Sequence, residues 1–331
     1  MEKVELLYLS QEEVIQLGLG MAEVIDIIEQ VLAEHGKKAV ELPPKPGVHP
    51  IKNTFIHAMP AFIPAMDACG IKWVSGYPDN YKHGLPQILG LLVLNDVNTG
   101  VPTAIMDCRW ITAVRTAAVT AVTAKYCARK DSETVGLIGA GVQGRFHILA
   151  LKEVLPNLKQ VKVYDIREEA ADDYVAVMSE KTGLEIVKVT SPQAAVVDSD
   201  IVITASQSLP KPIIEFEWLK EGVFGVGLES GKAWGASIQL MDKFVTDDWD
   251  QTQYFAKIGA FPGGLPASYH EIGEIVLGKR AGRENSREKI IACNVGMATE
   301  DVAVGTKLLE LAINKKVGTT LSLMEKQTAL I

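Results

Sequence analysis

The chain has few cysteines, no excess of positive charge and no long apolar run. Its 331 residues include four cysteines without paired spacing, which is typical of a reducing compartment rather than of a disulfide framework. Acidic residues outnumber basic ones by 41 to 33, so the chain lacks the basic surface that attracts nucleic acid or anionic lipid. No stretch resembles a membrane span or a leader peptide. We therefore expect a cytoplasmic protein that binds neither nucleic acid nor membrane.

Two kinds of catalytic site also lack a signature. The histidines show no helical i, i+4 pairing and no cysteine partner at the spacing of metal ligands. No serine or cysteine lies on a nucleophile elbow. We expect neither a metal site nor a covalent nucleophile, and the length predicts about two domains.

The first third of the chain predicts an α+β domain. Ser10 is followed three residues on by Glu13, as in a helix capping box, and apolar residues then recur every three or four positions as far as His35. A proline-rich segment ends this helical pattern, and strand-like runs follow. The expected strands cover residues 54–59, 69–75, 88–95 and 102–106, the last one antiparallel. A helix is expected from Trp110 to Ala128.

From Glu133 onward, strands alternate with helical segments. The expected strands cover residues 134–138, 161–164, 185–189, 201–204, 223–226 and 243–246. Such alternation implies right-handed crossovers and a parallel sheet. A helix over 299–314 follows, and the tail after it is expected to return to the first domain.

A glycine pattern follows the first of these strands. Gly139 permits a tight turn, Gly141 lets the backbone approach a pyrophosphate, and Gly144 allows close helix packing, while the helix N-terminus supplies amide donors. Asp165 ends the next strand, where a carboxylate accepts from both ribose hydroxyls and repels a 2′-phosphate, an effect that Arg167 could soften. We expect NAD rather than NADP; the alternative is a tight turn that binds nothing. The residues expected to contact NAD here are Gly139, Ala140, Gly141, Val142, Gln143, Gly144, Asp165, Ile166 and Arg167.

The whole chain resembles the ornithine cyclodeaminase/mu-crystallin family. The resemblance is carried by the stretches 70–74, 111–118, the glycine turn, 271–274 with 278–279 and 282–283, and 296–301. It implies an α/β fold in which a Rossmann NAD-binding domain, residues 128–304, is inserted into an α+β substrate-binding and dimerisation domain, residues 1–127 with 305–331. It also implies a homodimer. Members include cyclodeaminases, alanine dehydrogenases, imino-acid reductases and a hormone-binding crystallin.

Arg115 brings a charge onto an apolar helix face. Ala118, Val119 and Val122 lie three, four and seven residues further on, and residues at these spacings share one side of a helix. The guanidinium needs an anion, either a substrate carboxylate held by two hydrogen bonds or an internal Asp or Glu. The resemblance implies the substrate carboxylate, cradled by a basic trio. The matching residues are Lys45, Lys72 and Arg115.

Two members of this trio have alternative interpretations. Lys45 replaces the family's usual Arg, so an ammonium point charge stands where the family has a planar guanidinium with two parallel donors. The alternative is that Lys45 is a solvated lysine beside prolines. Lys72 lies on the strand face opposite Ile71 and Trp73. Near Arg115 its pKa would fall, so that it could exchange a proton with the substrate; alternatively it is an edge-strand lysine that only favours solubility.

The remaining candidate catalytic residues are His57 and Glu229. The resemblance places His57 where cyclodeaminases carry an acid, and a histidine that titrates near neutrality could shuttle a proton; a satisfied, partly buried histidine is the alternative. Leu228 stands where cyclodeaminases place a catalytic Asp, which argues against cyclodeamination. Glu229 could replace that Asp, or be an exposed loop acid.

The family pattern adds further residues to the expected cofactor site. These are Thr204, Ala205, Ser206, Leu228 and Asn294. We expect an NAD-dependent oxidoreductase that interconverts a small α-amino acid and its α-imino or α-keto acid, with Lys72 or His57 handling the proton. The alternatives are a redox-neutral ornithine cyclodeaminase and a non-catalytic, mu-crystallin-like binding protein.

Overall fold

The computed structural model describes residues 3–207 and 209–325. The chain divides into two compact units: unit 1 is Met1–Arg115 with Met297–Ile331, and unit 2 is Thr116–Gly296. Both divisions fall earlier in the chain than the expected boundaries at 127/128 and 304/305. Helical periodicity reveals one continuous helix but does not reveal where along it the packing partners change, which accounts for the difference.

Unit 1 contains a seven-stranded sheet and three helices, with part of a fourth. Its strands are β1 (Val4–Leu9), β2 (Gly47–Val48), β3 (Phe55–Ile63), β4 (Ala68–Gly76), β5 (Ile88–Asn95), β6 (Pro102–Asp107) and, after unit 2 in sequence, β15 (Thr319–Met324). Its helices are α1 (Gln11–Gln16), α2 (Met21–Gly36), the first turns of α3 (Arg109–Cys127) and α9 (Ala298–Lys315). The strand order is β15-β1-β6-β5-β4-β3-β2, and every neighbouring pair is antiparallel except β1 with β6.

Several predictions for this unit are confirmed. The Ser10 and Glu13 capping box begins α1, β6 pairs antiparallel with β5, and the C-terminal tail returns as β15, which pairs with β1. The sequence did not predict β1 or β2. β2 has two residues and lies at the edge of the sheet in a proline-rich segment, whereas β1 lies between β15 and β6 and directly precedes the helical pattern.

Helix α9 covers one face of this sheet. It packs against β3, β4, β5 and α2, and its approach to β5 is close because a side chain at Gly305 would collide with Leu92. The covered face includes a row of buried residues from four neighbouring strands. These are Met59, Lys72, Leu92 and Met106. Lys72 is thus a charged member of an otherwise apolar row.

Unit 2 is a doubly wound α/β unit built on a parallel sheet. Its strands are β7 (Thr134–Ile138), β8 (Gln160–Tyr164), β9 (Glu185–Lys188), β10 (Ile201–Thr204), β11 (Phe224–Gly227), β12 (Lys243–Thr246), β13 (His270–Glu271) and β14 (Ile290–Ala292). Besides the rest of α3, its helices are α4 (Val142–Val154), α5 (Glu168–Thr182), α6 (Pro192–Val196), α7 (Trp249–Lys257) and α8 (Ile272–Val276). All strand pairs are parallel, in the order β13-β12-β14-β11-β10-β7-β8-β9.

This strand order puts a topological switch point at β7. The chain runs from β7 outward through β8 and β9 on one side, and then continues with β10 and β11 on the other side. Open α/β sheets bind their ligands at the carboxyl ends of strands beside such a point. The predicted α/β class with a Rossmann unit is confirmed. Elements α7, α8, β13 and β14 were not predicted. The two helices have nine and five residues and the two strands have two and three, which is too short for a clear hydrophobic period.

In the described part of the chain, no helix combines the length and apolar character that a membrane crossing needs. The cytoplasmic location expected from the sequence stays a prediction.

Candidate active site

Lys72 lies in the middle of the unit 1 sheet. Its strand, β4, is flanked by β3 and β5, so it is not an edge strand, and alternation places Lys72 opposite the exposed Trp73, as predicted. The side chain is 1% exposed, and its Nζ donates to Asp301 Oδ1 at 2.8 Å and to Thr112 Oγ1 at 3.3 Å. These bonds use two of the three ammonium N–H donors. The solubilising role is therefore excluded.

The pKa of Lys72 is lowered from its ordinary value. Burial is the largest cause, because it removes water from the ammonium, and the neighbouring Arg115 charge lowers the pKa further. The Asp301 carboxylate acts in the opposite direction. A buried lysine with a lowered pKa gives up its proton more readily than an exposed lysine, which suits a role in proton transfer.

Arg115 is bound by two internal acids. Its Nη1 donates to Glu300 Oε2 at 2.7 Å and its Nε donates to Asp301 Oδ1 at 3.2 Å. The internal ion pair that the sequence left open is therefore present. Asp301 Oδ1 accepts from both Lys72 and Arg115, so a single oxygen joins the two cations.

Glu300 and Asp301 were not predicted as site residues. Both are fully buried in the first turn of α9, where the positive end of the helix dipole favours negative charge. A signal was present in the sequence: two adjacent acids stand directly before the apolar run 302–304, and buried acids of this kind require partners.

Lys45 and His57 belong to the same region of unit 1. Lys45 is 6% exposed, which contradicts the solvated alternative. The imidazole of His57 is stacked on Phe55, with ring centroids 4.4 Å apart. Burial first, and then the charges of Lys45, His49 and Lys72, lower the pKa of His57 to about 4. His57 is therefore neutral at pH 7. The expectation from the sequence that it titrates near neutrality is wrong.

The glycine turn of unit 2 has the expected form. Gly139 adopts φ +111°, in the region that favours glycine, and a side chain at Gly144 would collide with the Gly139 carbonyl oxygen. Gly141 is the N-cap of α4 and has open space around it. Together with Ala140, Val142, Arg145 and Arg167, among others, it lines a cavity of 420 Å³. The N-terminal amides of α4 can therefore receive an anion.

Asp165 lies directly after β8, at the edge of this turn. Its Oδ2 accepts from the Ala140 backbone N–H at 2.9 Å, and its Oδ1 accepts from the Arg167 N–H at 2.9 Å. The Arg167 side chain is 71% exposed, with Nε 3.7 Å from Asp165 Oδ1. Ile166, between them, is strongly exposed. Backbone donors thus fix the carboxylate at the position predicted for ribose recognition.

The other predicted cofactor residues follow β10, β11 and β14. The Ala205 N–H donates to the Ile138 carbonyl at 2.7 Å, which joins this segment to the glycine turn, and the Leu228 N–H donates to the Thr204 carbonyl at 3.1 Å. The Trp234 indole donates to Thr204 Oγ1 at 3.0 Å. The carboxyl ends of these strands thus form a continuous edge.

Several predicted residues of this edge carry buried polar atoms without a hydrogen-bond partner. Gln143 Oε1, Ser206 Oγ, Asn294 Oδ1 and both Glu229 carboxyl oxygens are buried without a hydrogen-bond partner among the described residues. Native proteins contain few such atoms, and a ligand is one explanation for a cluster. The residues present therefore fit a bound dinucleotide.

Glu229 is not the exposed loop acid that the sequence allowed. Its carboxyl oxygens are shielded from solvent, and burial, the largest cause, raises the pKa to about 8. The Thr204 hydroxyl and the charge of Lys232 oppose this rise. Glu229 is mostly a neutral acid at pH 7.

The fold and these residues define a dinucleotide-binding α/β protein with a buried cationic site. The family model described as ornithine cyclodeaminase/mu-crystallin matches residues 5–316, and the chain belongs to this family. A curated relative, nodulation efficiency protein NfeD of Rhizobium meliloti, is 34% identical over 95% of this chain and 98% of its own length.

Two solved structures share the fold. One is Delta(1)-pyrroline-2-carboxylate reductase of Thermococcus litoralis in complex with NADH and L-proline, with a TM-score of 0.86 and 34% identity over 95% of this chain and 99% of that chain. The other is an archaeal alanine dehydrogenase dimer with bound NAD, with a TM-score of 0.85 and 31% identity over 97% of this chain and 100% of that chain.

Proposed function

We propose that this protein is an NAD-dependent oxidoreductase that interconverts a small α-amino acid and its α-imino or α-keto acid. The observation that carries the proposal is the buried Lys72 and Arg115 pair of unit 1, in a chain whose other unit forms a dinucleotide turn. Unit 1 is then the substrate-binding and dimerisation domain, and unit 2 is the NAD-binding domain.

In unit 2, the amides after Gly139 bind the pyrophosphate and Asp165 accepts from the ribose hydroxyls. Gln143, Ser206 and Asn294 offer their unpaired polar atoms to the rest of the cofactor. Bound NAD supplies hydride transfer. Asp165 disfavours the additional phosphate of NADP because like charges repel.

In unit 1, Arg115, Lys72 and Lys45 hold the substrate carboxylate. Lys72 also donates a proton to the imine nitrogen on the substrate's Cα during reduction, and it takes the proton back from the amino nitrogen during oxidation. With a keto acid as substrate, ammonia first replaces the carbonyl oxygen, which leaves as water. Neutral His57 accepts a hydrogen bond and orients the substrate. The lowered pKa of Lys72 makes the ammonium a stronger acid toward the substrate than an exposed lysine would be.

The two solved relatives are an imino-acid reductase and an amino-acid dehydrogenase, and these are the two versions of the proposed reaction. Cyclodeamination is the rival, and Leu228 argues against it because an apolar side chain cannot deprotonate a second amine. Glu229, neutral at pH 7, is a poor substitute for that base. Net oxidation or reduction of the cofactor is therefore the expected outcome.

The test is a panel of 2-oxo acids with NADH, with and without ammonium or methylamine, beside Delta(1)-pyrroline-2-carboxylate as a preformed imine. The proposal requires NADH loss in proportion to product over many turnovers. Conversion of ornithine to proline with no accumulated NADH would establish the cyclodeaminase instead. Tight binding of NADH and an aromatic acid without turnover would favour a binding protein.

We also propose that the protein is a homodimer. The face of the unit 1 sheet opposite α9, here named the open face, is formed by Ile71, Trp73, Leu91, Val93 and Ile105. Trp73 is 50% exposed and Leu91 is 43% exposed. A contiguous apolar surface of this kind marks an interface. The same sheet of a second copy would cover the open face about a two-fold axis, so that each copy buries the other's apolar side chains.

Sedimentation velocity at micromolar concentration tests the dimer. The Leu91→Asp variant is expected to shift the protein toward monomer, because two copies of the new charge would face each other. The matched control is Ile258→Asp, which adds the same charge at an exposed apolar residue of unit 2. A wild-type monomer, or dissociation by the control alone, would contradict this interface.

A further inference from the structure

The buried cations of unit 1 are held by two adjacent acids with different partners. Asp301 Oδ1 lies 2.8 Å from Lys72 Nζ and 3.2 Å from Arg115 Nε, whereas Glu300 Oε2 lies 2.7 Å from Arg115 Nη1. Among the described contacts, Lys72 donates to Asp301 and Thr112. Removal of either acid's charge should therefore affect the two cations unequally.

We propose that Asp301 is the positioning residue that keeps Lys72 charged and oriented for proton transfer, while Glu300 positions Arg115. The inference rests on the proposed function. It assigns different effects to two neighbouring acids. Asp301 controls the protonation of Lys72, and Glu300 controls how Arg115 binds the substrate carboxylate.

The surroundings of Lys72 make Asp301 decisive. Burial and the Arg115 charge both disfavour the ammonium, and Asp301 is the main group that favours it. The facing groups come from several elements: Asp301 and Glu300 from α9, Arg115 and Thr112 from α3, Cys108 before α3, and His57 from β3. The Cys108 thiol has a pKa of about 12 and His57 is neutral at pH 7, so neither replaces a carboxylate.

The geometry also fixes the direction of the ammonium. One N–H points at Asp301 and one at Thr112, which leaves the third N–H for the substrate. Asp301 Oδ2 has no hydrogen-bond partner among the described residues. The carboxylate is therefore not held in place by other donors at that oxygen, and its position depends on Lys72 and Arg115.

The experiment compares Asp301→Asn with Glu300→Gln, two substitutions of matched size and charge change in one helix turn. The ionisation of Lys72 is read by NMR of protein labelled with ¹³C-lysine, and the Lys72 signal is assigned by its loss in Lys72→Arg. Asp301→Asn should move the titration midpoint of Lys72 to lower pH by about one unit or more. Glu300→Gln should leave it within about half a unit.

The pH profile of kcat/KM provides the second measurement. The reaction requires protonated Lys72 in the reductive direction. The basic limb of the kcat/KM profile should therefore move to lower pH in Asp301→Asn and stay in place in Glu300→Gln. Glu300→Gln should instead raise KM, because Arg115 loses one of its two charged contacts and is held less firmly for the substrate carboxylate. Equal shifts of the limb in both variants, or none in Asp301→Asn, would overturn the proposal.

A third variant covers the case in which Asp301→Asn does not fold. Asp301→Glu keeps the charge but lengthens the side chain, so the Lys72 midpoint should stay near that of the wild type while kcat falls. A midpoint that drops by about one unit would contradict the proposal. The NMR titration needs no substrate, so it gives its answer even if the proposed reaction is not observed.

Discussion

The buried carboxyl groups of the two units have opposite surroundings. In unit 1, Asp301 and Glu300 are fully buried, but each lies within hydrogen-bond distance of Arg115 or Lys72. In unit 2, the carboxyl oxygens of Glu229 are shielded from solvent, and the Thr204 hydroxyl and the charge of Lys232 offset this burial only in part. Its pKa rises to about 8 as a result. The difference shows that the partners decide what burial does to a carboxyl group.

The comparison separates two uses of a buried acid. An ionised acid beside cations holds them in place, at the cost of desolvating every member of the cluster. An acid without partners stays protonated near neutrality and can donate a hydrogen bond instead. Unit 1 thus has a cluster of ionised groups, and unit 2 has a neutral acid at the edge of a dinucleotide site.

The largest effect is expected when the unit 1 cluster is broken at Arg115. Arg115→Ala should lower kcat/KM for the active substrate by about two orders of magnitude or more, because the substrate loses a charged partner and the buried Glu300 and Asp301 each lose one cationic contact. Steady-state kinetics measures this effect, and circular dichroism verifies folding. Arg115→Lys keeps the charge but lacks the two parallel donors of the guanidinium, so its kcat/KM should lie between those of Arg115→Ala and the wild type. Nearly unchanged kinetics in Arg115→Ala would reject the role.

The same contrast explains what the sequence could predict. The glycine turn and Asp165 lie within one βαβ unit, so their spacing along the chain reflects their spacing in the fold. The partners of the unit 1 cluster are 229 and 186 residues apart in sequence. Periodicity places Lys72 on a strand face and Arg115 on a helix face, but it does not reveal that α9 brings Asp301 to both. The resemblance supplied the basic trio, although not its internal acids.

The second prediction concerns Glu229 in unit 2. Its pKa is about 8 in the folded protein and 4.5 ordinarily, so between these values the folded state retains a proton that the unfolded chain has released. Stability therefore falls as pH rises through this window. Glu229→Gln removes this dependence. The free energy of unfolding of the variant, relative to that of the wild type, should therefore increase by about 1 kcal/mol for each unit that the pH rises in this window. Urea unfolding at several pH values measures it.

The control for Glu229 is Glu217→Gln, which removes an exposed acid of unit 2. It should leave the pH dependence of stability unchanged. If Glu229→Gln followed the wild-type curve as closely as this control does, Glu229 would be an ordinary ionised acid, and the contrast between the two units would disappear.

A smaller effect is expected at Asp165, which backbone N–H groups hold in place. Asp165→Ser should narrow the preference for NAD over NADP by about tenfold, because the variant removes both the ribose acceptor and the repulsion of the 2′-phosphate. Dissociation constants from NADH and NADPH fluorescence measure it. Asp173→Ser, in the same cavity but paired with Arg145, should change the preference little. Tighter binding of NADP than NAD by the wild type would assign the phosphate to Arg167.

The smallest effect is expected at His57, the neutral member of the unit 1 site. Its pKa of about 4 means that the imidazole lacks its second, acidic proton at pH 7. His57→Gln, which keeps an acceptor and similar bulk, should therefore lower kcat/KM only a few-fold. Between about pH 5.5 and 8, the profiles of variant and wild type should run parallel. A histidine that shuttles protons and titrates near neutrality would instead give a limb near pH 6.5 in the kcat/KM profile, and the variant would lose that limb.

Because the unfolded imidazole takes up its proton first, His57 should also make the wild type lose stability as the pH falls from about 6.5 toward 4, and the variant should lose less. A wild-type limb near neutrality that disappears in His57→Gln would show that the charges of Lys45 and Lys72 do not keep this histidine neutral.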